Sequence, residues 1–127
     1  MYIDKTKNIS QVKEEFQSQY PGLKIEFYNC EHQANEGTEN RYLIDSQTVL
    51  ADANKDLISS EIDISGEKKV IEVEKEFKDK FGLHVQIFRR SNDLWLQTTV
   101  TDEWSLNIQN RKGIHSMEAY KVSDNET

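Results

Sequence analysis

The sequence predicts a single α+β domain, with a mainly antiparallel sheet and two helices packed on one face of it. Three observations lead to this prediction. A segment with apolar residues at helical spacing is followed by an alternating segment, and this pair occurs twice, at 9–27 and 70–87. Short candidate strands precede and follow each pair. The length of 127 residues also suits one hydrophobic core rather than two.

Both helices are predicted from apolar residues three and four positions apart, which form one stripe along about three turns. The stripes consist of Ile9, Val12, Phe16 and Tyr20 in the first helix and of Val70, Val73, Phe77 and Phe81 in the second. Each helix is expected to end near a glycine, Gly22 or Gly82, because glycine adopts the left-handed conformation that closes a helix. Two Glu–Lys pairs one turn apart, which begin at Glu74 and Glu76, predict a solvent-facing surface on the second helix.

An alternating run after each glycine predicts a strand with one face in the core. Its core-facing residues are Leu23, Ile25 and Phe27 in the first copy and Leu83, Val85 and Ile87 in the second. Further strands are predicted at 1–4 and 61–65, before the helices, and at 41–46 and 94–100, after them. Each copy then reads strand, helix, strand, strand. This order favours a ferredoxin-like topology, and two fused half-domains related by pseudo-symmetry are the alternative.

Five identities support an internal duplication. Val12, Glu15, Phe16, Gly22 and Leu23 recur as Val73, Glu76, Phe77, Gly82 and Leu83. The alternative is that burial imposes the same periods on any two helix–strand units. The expected parts are repeat one at 1–47, a connection at 48–60 with a short helix near 48–55, repeat two at 61–100, and a short helical segment at 101–110. Thr101 or Ser105 is the expected cap of that last segment. The domain is expected to span 1–113, and residues 114–127 show too little apolar periodicity to predict order.

The charge balance argues against binding to nucleic acid. The formal net charge is −7, whereas a nucleic-acid binder needs a concentrated basic surface. Arg89 with Arg90, and Arg111 with Lys112, are the basic clusters that contain arginine, and we interpret them as solvated surface. The sequence has no long apolar run and no signal-like start, so we expect a cytoplasmic protein without membrane contact. The single cysteine, Cys30, is consistent with a reducing compartment.

The segment FGLHVQIFRRSNDLWLQTTVTDEWSL, residues 81–106, resembles a stretch in small bacterial proteins of the Bacteroides group. The resemblance covers 73–110 and is strongest over 81–88 and 95–104. That family carries no assigned activity. The resemblance therefore implies a bacterial source and no catalytic residue.

The densest set of potential ligands lies around Cys30, Glu31, His32 and Glu36. A structural zinc site usually needs four ligands, and the chain offers no second cluster nearby, so we expect an ordinary surface loop and no metal or cofactor. Cys30 and His32 would need fixed geometry to act as nucleophile and base. The sequence contains no glycine-rich phosphate loop, GxSxG elbow or HExxH helix. A small-molecule binder or enzyme that uses the loop from Cys30 to Glu36 is the alternative function.

Strand alternation predicts an aromatic surface on the sheet face that points away from the helices. Leu43 and Leu96 are expected to face the helices, while the opposite face carries Tyr28, Tyr42, His84, Phe88 and Trp95. Arg89 and Arg90 are expected in its polar rim. Exposed aromatic clusters often mark interaction sites. The main prediction is a non-catalytic module that binds a protein partner or a second copy, and the alternative is that residues 101–109, with Trp104, simply cover this face.

Overall fold

The computed structural model describes residues 1–29 and 42–125, with side chains up to Glu118. The α+β class is confirmed. In chain order the elements are β1 (Tyr2–Ile3), α1 (Ile9–Gln19), β2 (Leu23–Tyr28), α2 (Leu50–Ala53), β3 (Ser60–Glu61), α3 (Val70–Phe81), β4 (His84–Ser91), β5 (Leu94–Gln97) and α4 (Leu106–Asn125).

The described strands form two antiparallel sheets. One has the order β2-β4-β5, and the other is the pair β1-β3. This arrangement differs from the single sheet of a ferredoxin-like topology, because β1 and β3 pair with each other and not with the larger sheet. The strand expected at 41–46 is also different. Over the described part of that range the structure has an isolated bridge between Leu43 and Tyr28.

Equivalent strands of the two copies pair with each other. β2 pairs with β4 so that Glu26 lies opposite Gln86, and these residues hold the same place in the two alternating runs. At the other sheet, the Met1 amino group donates to the Ile62 carbonyl at 3.1 Å and the Ile62 amide donates to the Met1 carbonyl at 2.9 Å. Antiparallel pairing of equivalent residues is the arrangement that a local twofold axis produces. The contacts between these strands are therefore those of a local twofold axis between the first half (β1 to α2) and the second half (β3 to α4).

The helix N-termini repeat the same contacts in both halves. The amides of Ile9 and Ser10 donate to carbonyls just before α2, and the amides of Leu50 and Ala51 donate to carbonyls just before α1, at 2.8 to 3.0 Å. The second half makes the same exchange between α3 and α4, also at 2.8 to 3.0 Å, with the amides of Val70, Ile71, Leu106 and Asn107 as donors. The first N–H groups of a helix have no partner within that helix. In each pair, these groups donate instead to backbone carbonyls that precede the other helix.

The core lies between α1, α3 and one face of the larger sheet. Both predicted helical stripes are buried there, with Ile25 and Ile87 from the sheet and Leu106 from α4. Asn8 begins α1 as a capping box with Gln11, with both hydrogen bonds at 2.9 Å. Gly82 ends α3 with a φ of 62°, as predicted.

The predicted solvent face of α3 is wrong for Glu74. This residue is 8% exposed, and its carboxylate accepts a hydrogen bond from the Ile87 amide at 3.1 Å. Glu76 forms an ion pair with Lys68 rather than with Lys80. The i,i+4 spacing favours a surface pair in an isolated helix, but the strand that packs beside α3 presents a backbone amide that needs an acceptor.

The helix expected at 101–110 is longer in the structure. The Ser105 hydroxyl accepts from the Ile108 amide at 3.2 Å, as expected for a cap, and α4 then continues to Asn125. Gly113 of this helix lies directly against Gly22. The weak order expected for 114–127 stays a prediction.

Candidate interaction surface

The register confirms which residues share the face opposite α1 and α3, here called the second face. Tyr28 pairs with His84, and Arg90 pairs with Trp95, on alternate positions to the core strands. Phe88 belongs to the same set. Tyr28 and Phe88, however, are only 2% and 8% exposed, while His84 and Trp95 are half-buried. The predicted exposed aromatic cluster is therefore wrong for Tyr28 and Phe88.

The chain next to β2 does not follow the predicted alternation. Leu43 forms the bridge to Tyr28 and is exposed, while Ile44 packs against the core. Leu43 was expected to face the helices, and this prediction is wrong because the backbone there is not a regular strand. Tyr42 is half-buried, and its carbonyl accepts from the Asn29 amide at 2.9 Å. Strand alternation therefore gives no basis for placing Tyr42 on the second face.

Two polar atoms are buried on the second face. The Tyr28 hydroxyl and the Gln86 side-chain oxygen have no hydrogen-bond partner in the part of the chain that the structure describes. Burial, together with the nearby Glu26 carboxylate, raises the pKa of Tyr28 to about 12. The hydroxyl is therefore protonated at neutral pH, and the residue serves packing rather than acid–base chemistry.

The two basic pairs that are separate in the sequence meet at one end of the larger sheet. The last part of β4 and the middle of α4 border an open cavity of about 430 Å³. It is lined by Arg89, Arg90, Ser91, Arg111, Lys112, His115 and Ser116. Both pairs had been interpreted as solvated surface, and Arg89 and Arg90 were also expected in the rim of the predicted site. The sequence shows that both pairs are basic. It does not show that they lie close together in the fold.

Close backbone contact fixes α4 beside the cavity. A Cβ added at Gly22 would lie 2.5 Å from the Asn110 carbonyl oxygen, and one at Gly113 would collide with the Gly22 carbonyl. The Gly22 amide donates to the Asn110 side chain at 2.7 Å, and the Asn92 amide donates to the Ser116 hydroxyl. The small residues therefore allow the helix to approach the β2 and β4 ends of the sheet.

Two tryptophans hold the cations in place. The Arg89 guanidinium carbon and the Lys112 ammonium lie 5.7 and 5.5 Å from the Trp104 ring centre. The Arg90 guanidinium carbon lies 5.3 Å from the Trp95 ring centre. Such contacts contribute about 0.5 to 2 kcal/mol each. Trp104 thus contacts Arg89 and Lys112, and the alternative in which residues 101–109 bury the second face stays a prediction.

The cavity concentrates positive charge without a matching carboxylate. Arg89 donates to the Gln109 side-chain oxygen at 3.1 Å and Arg90 to the Asn92 carbonyl at 2.9 Å, and both acceptors are neutral. Among the described residues, no Asp or Glu forms an ion pair with Arg89, Arg90, Arg111 or Lys112. In this protein of net charge −7, the cavity is a local site of opposite sign. An anionic group is its chemical complement.

The loop from Cys30 to Glu36 lies outside the described residues, and so does the possible pairing of Cys30 with His32. Within the ranges 1–29 and 42–125, no group of three His, Cys, Asp or Glu residues is arranged to hold a metal. No described helix combines the length and apolar character needed to span a bilayer.

No protein-family model, curated protein or solved structure matches the chain. The resemblance of residues 73–110 to proteins of the Bacteroides group stays a prediction.

Proposed function

We propose that this protein is a non-catalytic interaction module that binds an acidic segment of a partner protein through its basic surface. The basic surface consists of Arg89, Arg90, Arg111 and Lys112 around the cavity between β4 and α4. One observation carries the proposal: within the described part of the chain these four cations have no carboxylate partner, although acidic residues outnumber basic ones 23 to 16. Unpaired charge of one sign in a cleft steers and retains a ligand of the other sign.

The surroundings of the cavity suit a protein ligand. Trp95 and Trp104 stack against the cations, and arginine and tryptophan are the residues that most often dominate binding energy at protein interfaces. Leu94 and Leu96 are exposed on β5, next to Arg89 and Arg90 in the sheet register. A segment that combines acidic and apolar side chains would contact both regions.

A second copy of the chain is the other candidate partner, because the remaining surface is acidic. The small-molecule binder or enzyme built on the loop from Cys30 to Glu36 remains an alternative without structural support. Binding to nucleic acid is not expected, since the acidic surface outside the cavity repels a long polyanion.

A fluorescein-labelled poly-glutamate peptide tests the proposal by fluorescence anisotropy. We expect binding that weakens with added salt and that is lost in the double variant Arg111→Gln, Lys112→Gln. Both residues are exposed on α4, so the fold should remain intact. The matched control is Lys55→Gln, Lys75→Gln, which removes the same charge from exposed positions outside the cavity.

Equal binding by the cavity variant and the control variant would contradict the proposal, because the interaction would then depend on net charge alone. Sedimentation velocity over a range of concentrations addresses the second-copy alternative. Self-association that disappears in Arg111→Gln, Lys112→Gln would identify another copy of the chain as the acidic partner.

A further inference from the structure

The cavity contains more positive charge than a single carboxylate can balance. Two arginines from β4 and an arginine and a lysine from α4 line it, together with Ser91, His115 and Ser116. A glutamate or aspartate side chain carries one charge. It would leave most of the cationic groups facing one another without compensation.

We infer that the cavity binds a phosphomonoester, carried on a side chain of the acidic partner segment. The inference rests on the proposed function, because it specifies which group of the partner enters the cavity. A phosphorylated residue carries about −1.5 to −2 charge at neutral pH and offers three strong acceptor oxygens. These properties suit a space of about 430 Å³ that is lined by Arg89, Arg111, Lys112 and Ser91.

The Arg89 guanidinium is held in an arrangement that suits a tetrahedral oxyanion. Arg89 and Arg90 are consecutive in β4, so their side chains leave the sheet on opposite faces, and Arg89 is the one that contacts α4, through Gln109. Arg89 uses one terminal nitrogen for Gln109 and retains further N–H donors, and Trp104 limits the motion of its guanidinium plane. Less ordering is then required when the ligand binds, which favours bidentate recognition of phosphate oxygens.

A compact phosphoryl group fits the charge distribution better than an extended polyanion does. The formal net charge of −7 would be −11 without these four cations, so the rest of the protein is strongly acidic. A nucleic acid or an anionic bilayer would extend beyond the cavity and meet this negative surface. A single phosphoryl group on a short peptide would not.

Nuclear magnetic resonance titration with two capped peptides of the same sequence tests the inference. One carries a central phosphoserine and the other a central glutamate. We expect the phosphoserine peptide to bind at least about tenfold more tightly, the equivalent of about 1.4 kcal/mol. The amide signals that shift should include those of Arg90, Ser91 and Ser116, which line the cavity.

The cavity variant Arg111→Gln, Lys112→Gln should lower the affinity for the phosphoserine peptide by about tenfold per side chain. The control variant Lys55→Gln, Lys75→Gln should bind as the natural protein does. Inorganic phosphate serves as a further probe. If it binds as tightly as the phosphoserine peptide, free phosphate is the ligand and the peptide-borne assignment is overturned.

The outcomes separate this inference from the proposed function. Equal affinity for the phosphoserine and glutamate peptides, with both lost in the cavity variant, overturns the phosphoryl assignment and leaves an acidic-segment binder. Failure of both peptides and of poly-glutamate to bind refutes both proposals. Tighter binding of a mixed-sequence oligonucleotide than of the phosphoserine peptide would also overturn the inference, in favour of nucleic acid.

Discussion

The hydroxyl of Tyr28 allows a direct test of how the second face is built. Tyr28 is 2% exposed, and its hydroxyl has no hydrogen-bond partner among the residues that the structure describes. Tyr20 provides the matched comparison, because it is also buried but its hydroxyl donates to the Ile64 carbonyl at 2.5 Å. The substitutions Tyr28→Phe and Tyr20→Phe both remove a buried hydroxyl oxygen. In Tyr28 this hydroxyl lacks a described hydrogen-bond partner, and in Tyr20 it has one.

The two substitutions are expected to change stability in opposite directions at neutral pH. An unpaired buried hydroxyl costs about 1 to 3 kcal/mol, so Tyr28→Phe should raise the free energy of unfolding by about 1 kcal/mol. Loss of a hydrogen bond that is made costs about 1 kcal/mol, so Tyr20→Phe should lower it by about that amount.

The pKa of Tyr28 adds a second, pH-dependent difference. Burial and the Glu26 carboxylate raise this pKa to about 12 in the folded state, from the ordinary tyrosine value of about 10. In the unfolded state the Tyr28 hydroxyl loses its proton at a lower pH than in the folded state. The contribution of this group to the free energy of unfolding is therefore fully present below about pH 10, and it is lost as the pH rises toward about 12. A shift of about two units corresponds to about 2 to 3 kcal/mol. Tyr28→Phe should remove this part of the alkaline decline.

Urea unfolding followed by circular dichroism measures both effects, at about pH 7 and about pH 11. The difference between Tyr28→Phe and the natural protein cancels the titration of other groups. A loss of stability in Tyr28→Phe at neutral pH equal to that in Tyr20→Phe would refute the reasoning, since it would show that the Tyr28 hydroxyl makes a favourable interaction.

Three further substitutions test the packing that supports the site. Gly113→Ala should gain up to about 1 kcal/mol of helix propensity but lose more by collision with the Gly22 carbonyl, and a raised melting temperature would contradict the close contact. Glu74→Ala should cost about 2 kcal/mol more than Glu74→Gln in urea unfolding, because only glutamine can still accept from the Ile87 amide. Gly82→Ala should destabilise by about 1 kcal/mol, since the φ of 62° is unfavourable for alanine, and unchanged stability would show that α3 ends differently.

Local periodicity was sufficient to predict the helices and the central strands. The apolar stripes at three- and four-residue spacing correspond to α1 and α3, and the alternating runs correspond to β2 and β4. Their bounds agree closely because burial of one face imposes these periods directly. The short helix expected near 48–55 is also present, as α2.

The features that the sequence did not reveal depend on contacts between distant residues. Glu74 accepts a hydrogen bond from a strand amide that lies beside it, and α4 docks against the sheet where Gly113 meets Gly22. Neither contact leaves a periodic signal. The same docking brings Arg111 and Lys112 to Arg89 and Arg90, so the cavity could not be predicted from the two basic pairs alone.

The position of the basic surface within the twofold arrangement bears on its stoichiometry. The symmetric contacts, which pair β2 with β4 and cap the helix starts, serve the core of both halves. Within residues 1–29 and 42–53, the part of the first half that the structure describes, the basic surface has no counterpart. Arg89 and Arg90 correspond there to Asn29 and Cys30 by the spacing of the alternating runs, and α4 corresponds to α2, which ends at Ala53. A module with one such surface should bind its acidic partner in a one-to-one ratio, and a measured ratio of two partners per chain would mean that the binding site belongs to the repeated part of the fold instead.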